Sequence, residues 1–383
     1  MKVTNVQTFL VHPGVSKNWL LVKIDTDEGI SGWGEAYTQA DRDQCIEVHV
    51  RNMAQYLVGR SPFNIKHFTQ VMYHDFAGKR GAMDLYSAIS GMEQALWDIV
   101  GKALKAPVYN LLGGACRDKI RVYANGWSDG ARTPEALAER AEKVIQKGFT
   151  ALKFDPFPNP WRVFISKQEE QLAVENVRAV RETVGPGVDI LVEVHRRLAP
   201  MHAIRVAHMI EEFQPFWYEE PVSARNIDAL AEVRRNIRIP VVTGEELYTK
   251  ADFREVLEKQ AADILNPDIC NCGGILELKE IAAMAEPYFV AISPHNYNST
   301  TIGLAATINL TAHIPNFLIT EYFVNFQEVT DLVAINPFKV ENGYIKIPTG
   351  PGLGLEINEE ALAKFPYKPF PKRNIRQYYE EGP

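Results

Sequence analysis

Cysteine is scarce in this chain: only Cys45, Cys116, Cys270 and Cys272 among 383 residues. That is too few for a disulfide framework and points to a reducing compartment. Long apolar runs are also missing. None approaches the roughly 20 residues needed to span a bilayer, and the opening MKVTNVQTFLVHP carries no signal-peptide core. A cytoplasmic chain with no membrane partner is therefore expected. Positive charge is in short supply, since 41 Lys and Arg against 48 Asp and Glu leave a net charge of −7. This argues against a broad nucleic-acid-binding face. No Gly-x-Gly-x-x-Gly follows a first strand, and GPGLG near the end lacks the Lys-Ser or Lys-Thr and helix of a phosphate loop. Cys270-x-Cys272 has no partner pair that would make it a zinc site.

What is present is a globular composition, 46% hydrophobic and 23% charged, which excludes disorder. Val3–Leu10 alternates, Trp19–Asp25 is apolar, and Asp27–Glu28–Gly29 supplies a hairpin turn. From about Asp41 to Gly101 the spacing of apolar residues becomes helical, and LLGG closes that stretch. Residues 1–118 thus read as an α+β domain. From Lys119 onward, short β-rich runs alternate with helical patterns. The runs are KIRVYANGW, TALKFDPF, VDILVEVH, PFWYEEPV, IPVVTGEE, ADILNPDIC, YFVAISPHN and NFLITEYF. Eight strand–helix units predict an α/β barrel over 119–344, in preference to an open doubly wound sheet. Residues 345–383, rich in Gly and Pro, are expected to pack back on the first domain.

In such a barrel the C-terminal strand ends carry the chemistry. Strands two to eight end in Lys153-x-Asp155, Glu193-x-His195, Glu219–Glu220, Glu245–Glu246, Asn266-Pro267-Asp268, His295–Asn296 and Glu321. Glu193, Glu219 and Glu245 stand 26 residues apart, one barrel unit each. Three converging carboxylates repel unless a counter-ion joins them. All-oxygen ligation suits Mg²⁺. The alternative is three separate glutamates paired with Lys or Arg. Asp268 and His295, 27 residues apart on neighbouring strands, form a candidate dyad in which Asp fixes the imidazole tautomer of a general base. His195, two residues after Glu193, is expected to point into the same pocket by strand alternation.

These features together resemble the enolase superfamily, mandelate racemase subgroup. The resemblance rests on SAISGMEQALWDIVGKALKAPVYNLLGG, the three evenly spaced ligands, WYEEP, the GGI after strand six, the Asp–His pair, Glu321 and PGLG. It implies a (β/α)7β-type modified TIM barrel under an α+β N-terminal capping domain completed by the C-terminal tail. It also implies Mg²⁺-assisted removal of the proton α to a carboxylate, with a Lys or His base. Racemases of the subgroup carry Lys-x-Lys on strand two, whereas this chain has Asp155 at the second position. VYANGW, ALKFDPF and VEVH–WYEEPV are similar to the gluconate and galactonate dehydratase branch.

The reaction implied is loss of water from a small sugar acid. His295 takes the C2 proton, His195 protonates the departing 3-hydroxyl, and Lys153 and a protonated Glu321 flank the carboxylate. Asp155 is assigned to substrate hydroxyls or to Lys153, and Asn125, Trp127, Asn296 and Trp19 to further substrate contacts. The segments His12–Trp19 and Tyr73–Arg80 are candidates to close over the sugar tail. A homo-oligomer is expected. The competing readings are a racemase, epimerase or cycloisomerase on a related acid, and a silent barrel that senses a ligand.

Overall fold

The computed structural model describes residues 1–39, 42–75, 82–369 and 376–380. Most of the Tyr73–Arg80 segment, Lys79 and Arg80 included, lies outside the described residues. The first body is an antiparallel sheet in the order β1 (Val3–Val11), β2 (Trp19–Thr26), β3 (Ser31–Ala36), followed by helices α1 (Asp43–Leu57), α2 (Ile65–Gln70), α3 (Met83–Ala103) and α4 (Val108–Leu112). Helix α3 lies directly on β3 because both surfaces are bare at the contact. A Cβ on Gly34 would sit 1.8 Å from the Gly91 carbonyl oxygen, and one on Gly32 would sit 2.2 Å from that of Ala95. Any side chain there would push the layers apart.

The second body is a parallel barrel. Its strands are β4 (Lys119–Asn125), β5 (Ala151–Phe154), β6 (Asp189–Glu193), β7 (Trp217–Glu219), β8 (Val241–Thr243), β9 (Ile264–Leu265), β10 (Ala291–Ile292) and β11 (Thr320–Phe323). They hydrogen-bond in sequence, β11 pairs with β4, and an Ile292–Phe317 bridge joins β10 to the run before β11. All eight strands fall within the β-rich runs named above. Helices α5 (Pro134–Ile145), α6 (Lys167–Val184), α7 (Pro200–Ile210), α8 (Ile227–Asn236), α9 (Thr249–Glu258), α10 (Ile275–Ala285) and α11 (Ile302–His313) fill the crossovers, and the short α12 (Gln327–Val333) comes after β11. Local chemistry starts several of them. Ser166 and Glu169 form a capping box on α6, and the Thr133 and Asn226 side chains cap α5 and α8. Tyr123, Leu191, Trp217, Val242 and Ile319 form a buried cluster that fills the barrel interior. No described helix is long and apolar enough to cross a membrane.

After α12 the chain adds β12 (Tyr344–Lys346) antiparallel to β4, so the tail's first segment belongs to the barrel floor. It then crosses to the first body and ends in α13 (Glu359–Leu362) before continuing to Lys368. The Leu353 N–H donates to Asp98, the His12 N–H to the Phe365 carbonyl, and Asn18 Nδ2 to the Lys368 carbonyl.

The polar residues of α3 provide the joint between the bodies. Glu93 accepts the N–H groups of Ile275 (2.8 Å) and Leu276 (3.0 Å), two orphan donors of the first turn of α10, and the Trp97 indole N–H (2.8 Å). Ser90 accepts from the Gly273 N–H and Gln94 donates to the Ile269 carbonyl. On β3, Glu35 accepts the N–H groups of Ser299 and Gly303, both at 2.7 Å, at the start of α11.

Burial pushes the Glu93 carboxyl up to about 7, against the opposing pull of its three N–H donors. The folded chain thus binds this proton more tightly than the unfolded one, whose ordinary value is 4.5. Its contribution is complete below pH 4.5 and is lost as pH rises through 7. Glu93→Gln does not titrate, so it should gain stability relative to the parent chain between about pH 5 and 8. Urea unfolding across that range checks this; a difference that stays flat with pH contradicts it.

Candidate active site

The open end of the barrel holds a cavity of about 630 Å³, bordered by Asn125, Lys153, Asp155, Glu193, His195, Glu245 and His295 from the barrel and by Ser16 and Tyr37 from the first body. Its centre is a ring of carboxylates. Glu193 and Glu219 are register partners on β6 and β7, and Glu245 follows β8 by two residues. One oxygen of each lies within 4.8 Å of the others. Lys153, at the end of β5 and wholly buried, sits 2.8 Å from Glu219, 2.8 Å from Glu321 and 3.5 Å from Glu193. Burial would strip its proton, but Glu219 and Glu321 hold its affinity well above the ordinary lysine value. Glu219 is pushed up by burial and then by Glu193, against Lys153.

One ammonium does not satisfy this ring. Glu193 Oε2 and Glu219 Oε2 are buried and accept no hydrogen bond from any described residue. Two bare carboxylate oxygens beside a third carboxylate fit a hard divalent cation. Glu245 already bonds Arg196, whose Nε reaches Glu246 at 3.0 Å. Burial would raise the Glu245 carboxyl, but Arg196 and His295 hold it far below the usual range.

Asp268 and His295 are paired across the β9 and β10 ends, with His295 Nδ1 2.7 Å from Asp268 Oδ2. Asp268 also accepts from Asn298 Nδ2 at 2.8 and 2.9 Å and from the Cys270 N–H at 2.8 Å. The other ring nitrogen, Nε2, is directed at Glu245 (3.3 Å) and Glu321 (3.6 Å). Burial disfavours a charged His295, but Glu245, Glu321 and Asp268 together raise its proton affinity.

A second Asp–His pair stands on β5 and β6. His195 Nδ1 is 2.9 Å from Asp155 Oδ2, and Trp161 stacks on the imidazole at 5.0 Å and 20°. Asp155 does not contact Lys153, contrary to one expectation. Its other partners are Arg197 and the Phe157 N–H. Burial would raise Asp155, but Arg197 and His195 hold it below its ordinary value. His195 reaches the cavity by a route other than strand alternation. β6 stops at Glu193, and His195 and Arg196 take left-handed conformations, φ 55° and 53°. The chain kinks, and both side chains then reach the cavity.

Glu321 also departs from expectation. It touches Lys153 directly and accepts from Asn125 Nδ2 (2.6 Å) and the Asn296 N–H (2.8 Å). Burial is outweighed by Lys153 and His295, which hold its carboxyl below the ordinary value. Asn125 lines the cavity, whereas Trp19, Trp127 and Asn296 do not. Trp19 is buried edge-on against Phe326 at 5.5 Å. Trp127 donates its indole N–H to the Lys153 carbonyl at 2.8 Å. Asn296 is buried and serves through its backbone.

Several residues at the site take roles that the sequence pattern did not assign to them. Arg196 and Arg197 lie beside His195 in the run His-Arg-Arg, which was the available signal. Glu220 is buried at φ 47° and braces β8 through Thr243 Oγ1 (2.7 Å) and the Gly244 N–H (2.9 Å). Lys17 lies over the rings of Tyr37 (3.9 Å) and Tyr297 (4.5 Å), so the His12–Trp19 segment does reach the cavity rim. Trp161 is held from outside by Arg376 of the tail, which donates to its carbonyl.

Comparison with known proteins agrees with this geometry. Residues 136–361 match the enolase C-terminal domain-like family, and residues 8–113 match the mandelate racemase/muconate lactonizing enzyme N-terminal domain. The chain is 35% identical over its whole length to D-galactonate dehydratase of Variovorax paradoxus, covering 99% of that protein. It is 35% identical over 91% of its length to D-gluconate dehydratase of Thermoproteus tenax, covering 70% of that protein. Among solved structures it superposes on a member of the enolase superfamily from Salmonella Typhimurium with a TM-score of 0.90 at 32% identity, over 95% of this chain and 98% of that one. A mandelate racemase/muconate lactonizing enzyme-like protein from Roseovarius gives 0.89 at 35% identity, covering 96% of each chain. The chain belongs to the mandelate racemase/muconate lactonizing enzyme family of the enolase superfamily.

Proposed function

We propose that this protein is a Mg²⁺-dependent dehydratase of a sugar acid, an aldonate of the gluconate or galactonate kind. The observation that carries the reading is the pair of Asp–His dyads, Asp268–His295 and Asp155–His195, bordering one cavity beside the Glu193, Glu219, Glu245 group. The relatives named above act on such acids, which supports the same substrate class here.

Glu193, Glu219 and Glu245 would hold the cation, which supplies positive charge where the deprotonated acid accumulates negative charge. Lys153 adds a fixed ammonium for the substrate carboxylate. With Nδ1 directed at Asp268, Nε2 is the ring nitrogen that faces the cavity beside Glu245 and Glu321, and it is assigned to take the C2 proton. Asp155 likewise directs His195 Nδ1, which leaves Nε2 to deliver a proton to the 3-hydroxyl as the C3–O bond breaks. Water leaves, and the enol takes a proton at C3 and gives up its C2 hydroxyl proton to solvent to become the 2-keto-3-deoxy acid. His295 then loses its added proton to solvent and His195 regains one. A racemase would need a second base on the opposite face of C2. At the strand-two position Asp155 is engaged by His195, Arg197 and the Phe157 N–H instead.

Incubation with a set of aldonic acids and Mg²⁺, with semicarbazide detection of 2-keto acid, tests the reading. Deuterium entering C2 of recovered acid in D₂O with no keto product would support racemisation instead. His295→Asn should lower turnover by at least the 10²–10⁴-fold that general-base help is worth. Near-normal turnover in that variant rules out the assignment.

The cation is tested without turnover. At about 100 times its Kd, Mg²⁺ should add about 2.7 kcal/mol to the unfolding free energy. EDTA should remove that gain, and Glu219→Gln should abolish it.

A further inference from the structure

The His195 ring has no regular strand behind it. It sits on a left-handed residue past the end of β6 and is about one-third exposed. Its orientation therefore depends on side chains. Asp155 takes Nδ1 and Trp161 covers one face. Both are gripped in turn by one group. Arg197, buried, bonds the Asp155 oxygen that faces His195 and donates through Nε to the Val194 carbonyl (2.8 Å) and through Nη1 to the Pro158 carbonyl (3.3 Å). Its guanidinium also packs over Trp161 at 4.8 Å and Phe157 at 5.4 Å. One planar fork thus joins the loops after β5 and β6 and fixes both supports of the imidazole.

The two dyads differ in this respect. Among the described residues the hydrogen bonds that Asp268 accepts besides that of His295 come from neutral donors, Asn298 and the Cys270 N–H, whereas Asp155 is bonded by a guanidinium. The Asp155–Arg197 pair brings no net charge into a cavity already crowded with carboxylates.

We propose that Arg197, acting through Asp155 and Trp161, is a positioning residue for proton delivery by His195 and not for proton removal by His295. This rests on the dehydratase reading. Losing the fork lets the imidazole swing while leaving the Lys153, Glu193 and His295 side of the cavity as it was. The acid then still loses its C2 proton, but the leaving hydroxyl waits for one, and the intermediate returns to substrate.

The test compares the parent chain with Arg197→Met, Arg197→Lys and Asp155→Asn in D₂O, following deuterium at C2 of recovered acid and 2-keto acid together. Elimination should fall about 10- to 100-fold in Arg197→Met and Asp155→Asn, as for partners that orient a working side chain. The ratio of deuterium incorporation to keto acid should rise by the same factor. Arg197→Lys should recover part of the loss. A 3-deoxy-3-fluoro analogue, whose fluoride departs without a proton, should be nearly indifferent to all three changes. Equal losses of exchange and elimination, or equal slowing of the hydroxy and fluoro acids, would overturn the proposal. Should Arg197→Met not fold, Asp155→Asn separates the same outcomes. If the parent chain makes no keto acid from any aldonate, the dehydratase reading fails first, and this inference with it.

Discussion

The site is organised around one electrostatic constraint: buried carboxylates converge at the mouth of a closed barrel, and each has to be answered by a cation or a donor. Lys153 answers first, with two carboxylates at 2.8 Å and a third at 3.5 Å. Arg196 answers Glu245 from the other side. Even so, Glu193 Oε2 and Glu219 Oε2 remain bare. Both belong to carboxylates that already share the Lys153 ammonium, so one cation is spread over three acids, and the two oxygens that accept no hydrogen bond mark a candidate cation site. The same arrangement turns an acidic chain into a receptor for an acid. A net charge of −7 describes the whole surface. The cavity instead presents an ammonium, two imidazoles and a place for a divalent ion.

Backbone geometry decides which side chains share that cavity. The parallel register sets Glu193 and Glu219 level. Beyond the strands the chain leaves the extended region, and His195, Arg196 and Glu220 all have positive φ. That conformation costs a non-glycine residue about 1 kcal/mol or more, and such strain concentrates where function demands a side-chain direction. At His195 the backbone N–H bonds Glu193 Oε1 at 2.6 Å, so the kink that delivers one histidine also steadies one candidate ligand.

This division explains how much was legible in the sequence. Barrel periodicity survives in the alternation of short β runs and helical patterns, so all eight strands and the matched positions of Glu193, Glu219 and Glu245 could be read. The Asp268–His295 pair followed from unit spacing as well. What lay beyond strand ends was not legible, because turns obey no fixed period. Strand alternation put His195 in the right cavity for the wrong reason. Trp19 and Trp127 looked like ligand contacts, since an aromatic near a site and one packed beneath it read alike in sequence. The roles of Glu35, Glu93 and Arg197 depend on contacts between segments 39 to 268 residues apart. No local pattern encodes them.

Those contacts also explain why a capping domain accompanies the barrel beyond covering it. His295 lies in the loop after β10, and that loop continues into Ser299 and Gly303, whose N–H groups end on Glu35 of the first body. Asp268 lies in the loop after β9, which continues into Ile269, whose carbonyl is held by Gln94 of α3. Glu35 and Gln94 are themselves joined, since the Glu35 N–H donates to Gln94 Oε1 at 3.1 Å. The two loops that carry the Asp–His dyad are thus tied to one short stretch of β3 and α3, and their separation is set by a rigid glycine-mediated contact between that strand and that helix. A shift of the first body relative to the barrel would change the 2.7 Å distance between Asp268 and His295. The first body is therefore part of the frame that places His295 and Asp268. This explains why buried carboxylates, unfavourable in an ordinary domain interface, stand at this one.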